Sequence, residues 1–357
     1  MAGRLSALEK RCHSTVVFCN LVTGIVALSQ YQPFLTVYGE AESFLQTSLS
    51  HFDRAYAAHF ETHLSFLEPL LTHVHRSRGK RLRPLLHFLV QGLICGCVDE
   101  NVLTAVLLEL LHTASLIHDD VVDEADIRRG RDTVNTRWGN KVAVLTGDYL
   151  FADILSLGVE AGGNGVISIV ARTARQMGSG ELRQTLLSGT SLPNRNAYFK
   201  DIEDKTASLY AAAAEMGALL AHASAEEKQR ATEFGRRFGL LFQIRDDILD
   251  FTGDDSQLGK PVLQDVRDGK ATLPLILAAQ HANAETLRRI ETALNRCDET
   301  DVSWVQDFVE EHSGIAAAQA EAASQARQAV ALLDDFGPSQ YKQLLVKLVL
   351  ADLERQQ

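Results

Sequence analysis

The 357-residue chain has no excess of positive charge. Its formal net charge is −11, and no stripe of Lys and Arg is available to displace counterions from a nucleic-acid backbone. This charge balance excludes nucleic acid as a partner. The basic residues that matter lie in short groups near acidic ones, which indicates local anion sites.

Cysteine is scarce and follows no pattern. The five cysteines are scattered along the chain, and Cys95-Gly-Cys97 lacks both the C-x-x-C spacing of a zinc or redox site and a second half. We therefore expect free thiols in a reducing compartment, the cytoplasm.

Long apolar runs are also missing. No stretch reaches the roughly 18 apolar residues that a membrane span needs, so we expect no transmembrane helix. Residues 15–28 come nearest, and with the basic residues before them they weakly resemble a signal or transit peptide. No small-x-small cleavage site ends this stretch. We assign residues 1–33 to an N-terminal extension, either an extra helix or a leader, and residues 34–357 to one domain.

Strand-like alternation is nearly absent, and helical periodicity dominates, which predicts an all-α fold. A loop is expected at Gly162–Gly165, and the long irregular stretch 252–273 is a candidate lid. The helices are expected at 37–50, 52–74, 102–125, 136–157, 167–187, 198–221, 226–251, 273–282, 284–295, 302–312, 315–333 and from near 341 to 353.

What the chain does contain is a matched pair of acidic clusters, each reading D-D-x-x-D at the end of an apolar helical segment. The members are Asp119, Asp120 and Asp123 in the first cluster, and Asp246, Asp247 and Asp250 in the second. Carboxylates crowded on a buried helix repel one another and are costly to desolvate, unless a divalent cation is present. One such cluster is usually a solvated helix end. Two of them indicate a shared site for metal and diphosphate.

A basic turn at residues 79–84 precedes another predicted helix. Cations at a helix N-terminus oppose the helix dipole, so Lys80 and Arg83 are not explained by stability. An anion bound to these cations and to the free backbone N–H groups would remove the conflict. The turn therefore suggests a second diphosphate site. Farther along, Glu181 and Gln184 share a helix face. Lys205 is a candidate site residue only because these acidic and polar residues accompany it in the sequence.

Taken together, these motifs resemble those of trans-isoprenyl diphosphate synthases, and most of all the long-chain polyprenyl synthases that make quinone side chains. The resemblance runs from about Phe34 to the C-terminus and implies a large helical bundle around a deep central cavity, usually a homodimer. The matching segments are G-K-R-L-R-P (79–84), L-H-T-A-S-L-I-H-D-D-V-V-D (111–123), D-I-R-R-G (126–130), G-D-Y-L (147–150), K-T-A (205–207), F-Q-I-R-D-D-I-L-D (242–250), G-K (259–260) and D-G-K-A-T-L-P (268–274).

The resemblance also implies roles for individual residues. Mg²⁺, three ions per site, would be held by Asp119, Asp123 and Asp246, with Asp120, Asp247 and Asp250 as further carboxylates. An allylic diphosphate (farnesyl or geranylgeranyl) would be bound by Arg128, Lys205, Thr206, Gln243 and Lys260. Isopentenyl diphosphate would be bound by Lys80, Arg83, His112 and Arg129. Catalysis would fall to Asp119, Asp120, Asp123, Asp246, Asp247, Lys205 and Arg128.

Product length depends on what lines the cavity beyond the first cluster. Ala114 lies five residues before Asp119, or roughly 7.5 Å along a helix, where a growing chain would pass. This small residue and Ser115 leave a channel open, which favours products of about C35 to C50. The membrane-destined product would then be made by a protein without a membrane span.

Other readings stay open at this point. A shorter-chain geranylgeranyl or farnesyl diphosphate synthase shares every motif, and a subunit of a heteromeric synthase would share most of them. A terpene cyclase needs only one diphosphate site, and a di-iron bundle needs two Glu-x-x-His pairs where the chain has one, Glu109 and His112.

Overall fold

The computed structural model describes residues 33–77, 79–99, 101–187, 192, 194–253 and 262–355. The prediction of an all-α fold is confirmed over these residues. The helices are α1 Phe34–Phe44, α2 Gln46–Ala58, α3 Glu68–Arg76, α4 Leu82–Cys95, α5 Leu103–Val122, α6 Val134–Trp138, α7 Asn140–Leu187, α8 Arg195–Ile202, α9 Ser208–Leu220, α10 Ala225–Thr252, α11 Gln264–Arg267, α12 Leu273–Ala278, α13 Ala284–Arg296, α14 Glu299–Glu311, α15 Gly314–Leu332 and α16 Gln340–Leu353.

Three short elements interrupt the helices. A two-stranded antiparallel hairpin pairs β1 (Ile127–Arg128) with β2 (Arg131–Asp132) directly after α5. A π-helical turn, Glu203–Ala207, joins α8 to α9, and a 3₁₀ turn, Ala279–His281, follows α12. The hairpin and the π turn both lie at the acidic end of the bundle.

The long helices form the centre of the molecule. Helix α5 packs on α7, α9 packs on α10 and α4, and α10 packs on α15. One continuous apolar core runs through these helices, and a smaller one lies under α11 to α14. Ser224 and Glu227 close a capping box at the start of α10, which fixes where this helix begins.

Close contact between α9 and α10 sets the position of the second acidic cluster. Gly239 lies about two turns before Asp246, and a Cβ on it would come within 2.6 Å of the Cα of Ala207, at the end of the π turn that leads into α9. Alanines 212, 213, 214 and 218 of α9 are buried with it. Small residues thus let the two backbones approach closely and bring K-T-A against the segment that holds Asp246 and Asp247.

Several expected boundaries were wrong. The single helix expected over 52–74 is two helices, because α2 ends at Ala58 and the chain turns before α3 begins at Glu68. The loop expected at Gly162–Gly165 is a kink inside α7, where Gly163 has a φ of 59° that favours glycine. The last helices agree with the predicted ones to within a few residues.

Helix α7 bears on the expectation that no helix of the chain spans a membrane. In the described part of the chain, it is the one helix long and apolar enough to cross a membrane by length and composition. Isolated polar residues and glycines interrupt its apolar run without lowering its average hydropathy much. Core helices of other bundles pass the same test, and α7 packs against α5 and α9. Only 39% of its most apolar window is buried, however, so much of this helix faces outward.

Candidate active site

The first acidic cluster lies at the C-terminal end of α5. Asp119 and Asp120 are in its last turn, and Asp123 caps the helix. The helix was expected to continue to Ala125, but it ends at Val122 and the chain folds back as the β-hairpin. A helix C-terminus carries partial negative charge, so three carboxylates there need cations nearby. The arrangement is electrostatically costly without them.

Two cations already reach this cluster. The hairpin brings Arg128 back onto the buried Asp120, with Nε 2.5 Å from Oδ1. Lys270 donates from Nζ to Asp123 Oδ1 at 3.3 Å. Burial raises the pKa of Asp119 to about 6, against the lowering effect of Lys205 and with Glu181 and Asp123 adding to the rise. A further positive charge beside Asp119 would therefore stabilise its ionised form.

The second cluster lies across the site on α10, and its three carboxylates have different partners. Asp247 is buried and accepts hydrogen bonds from the Tyr198 hydroxyl at 2.6 Å and from Gln243 Nε2 at 2.9 Å. Burial, with Asp265 next in effect, raises the pKa of Asp247 to about 8. Half-exposed Asp246 pairs with Arg355, whose Nη2 lies 2.5 Å from its Oδ1.

Asp250, the third member, is held by backbone. Its side chain is buried, and its two oxygens accept the amides of Gln264 and Asp265 at 3.2 and 3.1 Å. These are the first residues of α11, where a carboxylate complements the helix dipole. Asp250 thus fixes α11 beside the cluster, which is a structural task that the sequence pattern did not indicate.

The K-T-A motif lies in the π-helical turn between α8 and α9, where an uninterrupted helix was expected. Such turns often mark functional sites because they re-aim side chains. Lys205 Nζ lies 2.7 Å from Glu181 Oε2 and donates to Gln184 Oε1 at 3.2 Å, so the predicted shared face of this pair is confirmed. Thr206 donates to Gln243 at 2.8 Å. The turn therefore links α7, α9 and α10 beside the acidic clusters.

Basic residues gather around a cavity that adjoins the first acidic cluster and shares Asp120 with it. A cavity of about 50 Å³ is lined in part by His112, Arg128, Arg129 and the buried Glu109. Arg129 Nη1 donates to the Ser77 carbonyl at 2.9 Å, which ties the hairpin to the basic turn before α4. Together these contacts place Arg129 beside the turn that carries Lys80 and Arg83.

Arg83 is positioned from the other side of the basic turn. Its guanidinium lies 4.6 Å from the centre of the Tyr210 ring, and its Nε is buried with no hydrogen-bond partner. Burial lowers the pKa of Lys80, which Arg355 lowers further and Asp246 raises. These basic groups therefore stand partly desolvated and are available to an anion.

The charges around this cavity oppose those of the acidic clusters. Burial, then Arg83, Arg129 and Arg128, lowers the pKa of His112 well below its usual value, which keeps the imidazole neutral. Burial raises the pKa of Glu109 despite Arg83 and Arg129 nearby. Its Oε2 has no hydrogen-bond partner. A bound anion would satisfy the guanidinium groups here, as a cation would satisfy the aspartates.

The structure brings most of the predicted site residues into these two neighbouring groups. Lys260 and the G-K segment lie outside the described residues. Four further residues lie in these two groups but were not predicted as site residues, namely Tyr198, Glu109, Lys270 and Arg355. Lys270 belongs to the D-G-K-A-T-L-P motif, and Glu109 forms a Glu-x-x-His pair with His112. Nothing local marks Tyr198 or Arg355.

The donor set fits a hard divalent cation. Its groups are carboxylate oxygens, with no thiolate or imidazole among the predicted ligands. Among the described residues, no three His, Cys, Asp or Glu side chains converge closely enough to hold a metal by themselves. Mg²⁺ is commonly held by one or two carboxylates while water and substrate phosphate oxygens complete its shell. The raised pKa of Asp119 is the cost that such an ion would remove.

Comparison with known proteins gives a consistent set of relatives. The family model described as polyprenyl synthetase matches residues 65–312. The octaprenyl diphosphate synthase of Haemophilus influenzae is 33% identical over 278 residues, covering 78% of this chain and 84% of its own. Component 2 of the heptaprenyl diphosphate synthase of Geobacillus stearothermophilus is 38% identical over 236 residues, covering 66% and 74%.

A solved structure is similar over nearly the whole fold. The polyprenyl synthase of Caulobacter crescentus, crystallised with calcium and isoprenyl diphosphate, superposes with a TM-score of 0.83. Its sequence is 31% identical, and the match covers 90% of this chain and 98% of that one.

Proposed function

The chain belongs to the polyprenyl synthetase family, as its motifs indicated, and from this premise we propose that it condenses isopentenyl diphosphate onto an allylic diphosphate. The product would be a long-chain all-trans polyprenyl diphosphate for quinone side chains, and the relatives named octaprenyl and heptaprenyl diphosphate synthases support that length. The observation that carries the proposal is the pair of adjacent sites of opposite charge, one acidic and one basic.

The allylic diphosphate is assigned to the acidic site. Mg²⁺ ions, three by analogy with the family, would be held by Asp119, Asp123 and Asp246 and would neutralise charge on the departing diphosphate. Lys205 and Arg128 are already positioned by Glu181 and Asp120, so they can grip diphosphate oxygens with little loss of entropy. Thr206, Gln243 and Lys260 complete the binding set, and Asp120, Asp247 and Asp250 support it.

Isopentenyl diphosphate is assigned to the basic cavity and the adjoining basic turn at residues 79–84. Lys80, Arg83 and Arg129 supply positive charge, and the neutral His112 can donate one hydrogen bond without adding charge. The double bond of this substrate then attacks the allylic cation that remains after ionisation, and loss of a proton extends the chain by five carbons. The proton passes to the released diphosphate, so no side chain is assigned as the base.

The growing chain is directed along α5. Ala114 is buried and Ser115 half-buried on this helix, before the first cluster. Neither side chain is large enough to block a polyprenyl tail at this depth, so the proposed products have about C35 to C50, starting from farnesyl or geranylgeranyl diphosphate.

We also propose that the protein acts as a homodimer through α7. Leu145, Leu155 and Val159 of this helix are 57%, 60% and 66% exposed, an unusual share for large apolar side chains. A second copy would cover this face, and we place the resulting protein in the cytoplasm. Leu145→Glu is expected to shift the mass measured by analytical ultracentrifugation from dimer to monomer. An unchanged dimer would place the contact elsewhere.

The proposed reaction is tested with purified full-length protein, Mg²⁺, labelled isopentenyl diphosphate and farnesyl diphosphate. Product lengths are read by chromatography after dephosphorylation. We expect a ladder that ends at one product between about C35 and C50. A ladder that stops at C20 would instead make this a shorter-chain synthase.

If the folded protein incorporates no label with any allylic primer, the proposal that this chain is a synthase by itself is wrong. The relative named as a component of a heptaprenyl synthase gives this outcome a specific follow-up. Activity restored by a second protein would then identify the chain as one subunit of a heteromeric enzyme.

A further inference from the structure

The end of the chain reaches the second acidic cluster. After α16 ends at Leu353, Arg355 turns back toward α10, and its side chain is only 8% exposed. Its Nη2 lies 2.5 Å from Asp246 Oδ1 and donates to the Phe242 carbonyl at 3.4 Å. Asp246 is the carboxylate of this cluster that the proposed function assigns to a metal ion. The chain end therefore touches a metal-binding residue directly.

Packing holds the Arg355 guanidinium in place. It lies 4.4 Å from the centre of the Phe242 ring, and its Nε is 3.0 Å from an oxygen of the fully buried Asp352. The Arg355 carbonyl accepts a hydrogen bond from Arg245 of α10. A planar guanidinium with ring and carboxylate partners is well defined in orientation. The contact between Arg355 and Asp246 is thus held in place by several packing and polar interactions.

The contact has an electrostatic consequence. Arg355 supplies one positive charge to the Asp246 carboxylate, which would also hold a divalent cation. A guanidinium and a metal ion cannot both occupy the same lone pairs at bonding distance. Arg355 lowers and Asp246 raises the pKa of Lys80 in the basic turn. Separation of Arg355 from Asp246 would therefore change the electrostatic environment of Lys80.

We propose that Arg355 is a positioning residue that competes with a divalent cation for Asp246, so that metal binding at the second cluster releases the end of the chain. The inference rests on the proposed function, since it uses the assignment of Asp246 as a metal ligand. It adds a coupling between the metal site and the C-terminus, with Lys80 and the basic cavity next to the released residue.

The test measures metal binding and chain-end exchange rather than turnover. Thermal stabilisation is followed as Mg²⁺ is titrated into full-length protein with fixed inorganic diphosphate. Arg355→Gln is expected to lower the Mg²⁺ concentration at half-effect by about threefold or more, as for loss of one charge-assisted hydrogen bond. Arg355→Lys, which keeps the charge, should shift it less. Lys347→Gln on α16, which breaks a half-exposed pair with Glu40 of α1, should leave it unchanged.

Hydrogen–deuterium exchange gives a second readout that needs no variant. Mg²⁺ with inorganic diphosphate should speed exchange in the wild-type peptide covering residues 350–357, even if Arg355→Gln folds poorly. A midpoint that is unchanged or raised in Arg355→Gln, or slower exchange on metal binding, would overturn the competition. If the wild-type protein forms polyprenyl products but gives either of these contrary results, only the competition between Arg355 and the metal ion is wrong. If Arg355→Gln shifts the Mg²⁺ midpoint as expected but the wild-type protein makes no product, only the proposed reaction is wrong.

Discussion

The acidic clusters and the basic cavity both hold partly buried charged groups, and the sign of the charge differs between the two regions. At the clusters, burial raises the pKa of Asp119 to about 6 and of Asp247 to about 8. At the cavity, burial and neighbouring cations lower the pKa of His112 and the pKa of Arg129. Each region holds charges that its own neighbours do not fully balance. The comparison teaches that one region is prepared for cations and the other for anions.

The largest expected effect comes from removing a charge at the acidic site. Asp119→Asn should lower kcat by about 10²- to 10³-fold, since charge developing on the leaving diphosphate would lose its stabilisation. Asp307→Asn, at an exposed aspartate on α14, is the matched control. Steady-state kinetics with saturating substrates checks this. Equal losses in both variants would show that general charge, rather than this site, matters.

Removing a charge at the basic cavity should separate the two substrates. Arg129→Gln is expected to raise KM for isopentenyl diphosphate by about 10- to 100-fold, because one charge-assisted hydrogen bond to phosphate is lost. KM for the allylic substrate should change little. Arg131→Gln lies on the same hairpin with an exposed side chain and controls for hairpin stability. A parallel rise in both KM values would contradict two separate sites.

A substitution on α5 should alter product length without disturbing either charged region. Ala114→Phe is expected to keep the first condensation within about threefold of wild type but to end the ladder several units earlier. The same change at Ala105, also buried on α5 but more than two turns farther from Asp119, should destabilise without this product shift. Chromatography of dephosphorylated products decides between them. A full-length product from a folded Ala114→Phe protein would move the channel to another helix.

The smallest effect is a difference in how pH acts on the two regions. Asp247 has a folded-state pKa of about 8, above its unfolded value, so the folded protein binds the extra proton and loses stability as pH rises toward 8. His112 has a lowered pKa, so its contribution is lost as pH falls below its unfolded value near 6.5. In EDTA, Asp247→Asn should flatten the fall in melting temperature between pH 6 and 8 by about 2–4 °C. A curve parallel to wild type would remove Asp247 as the cause.

The sequence was enough to predict the helical class and most of the acidic and basic residues of the two charged regions. Apolar periodicity specifies helices such as α10 locally, and the two D-D-x-x-D clusters carry their spacing in the chain itself. What local spacing could not give was the change of direction after Val122 and the π turn at K-T-A. Both depend on how separate helices pack, as the close approach of Gly239 to Ala207 shows.

Contacts over long sequence distances were the other gap. Arg355 is 109 residues from Asp246 in the chain, and no periodic pattern joins them. Asp250 looked like a third metal-binding carboxylate, and only the fold reveals that it accepts the first amides of α11. Residue type alone therefore indicated the chemistry of the region but not which carboxylate each cation meets.

The most direct test of the two-site account is ligand binding with and without Mg²⁺, measured by calorimetry. The ligands are isopentenyl diphosphate and an unreactive thiolodiphosphate analogue of the allylic substrate. Isopentenyl diphosphate should bind wild type in EDTA and bind poorly to Arg129→Gln. The allylic analogue should need Mg²⁺ and bind poorly to Asp119→Asn. If both ligands depended equally on Mg²⁺, or if one variant abolished both, the two regions would form a single site and the account would be wrong.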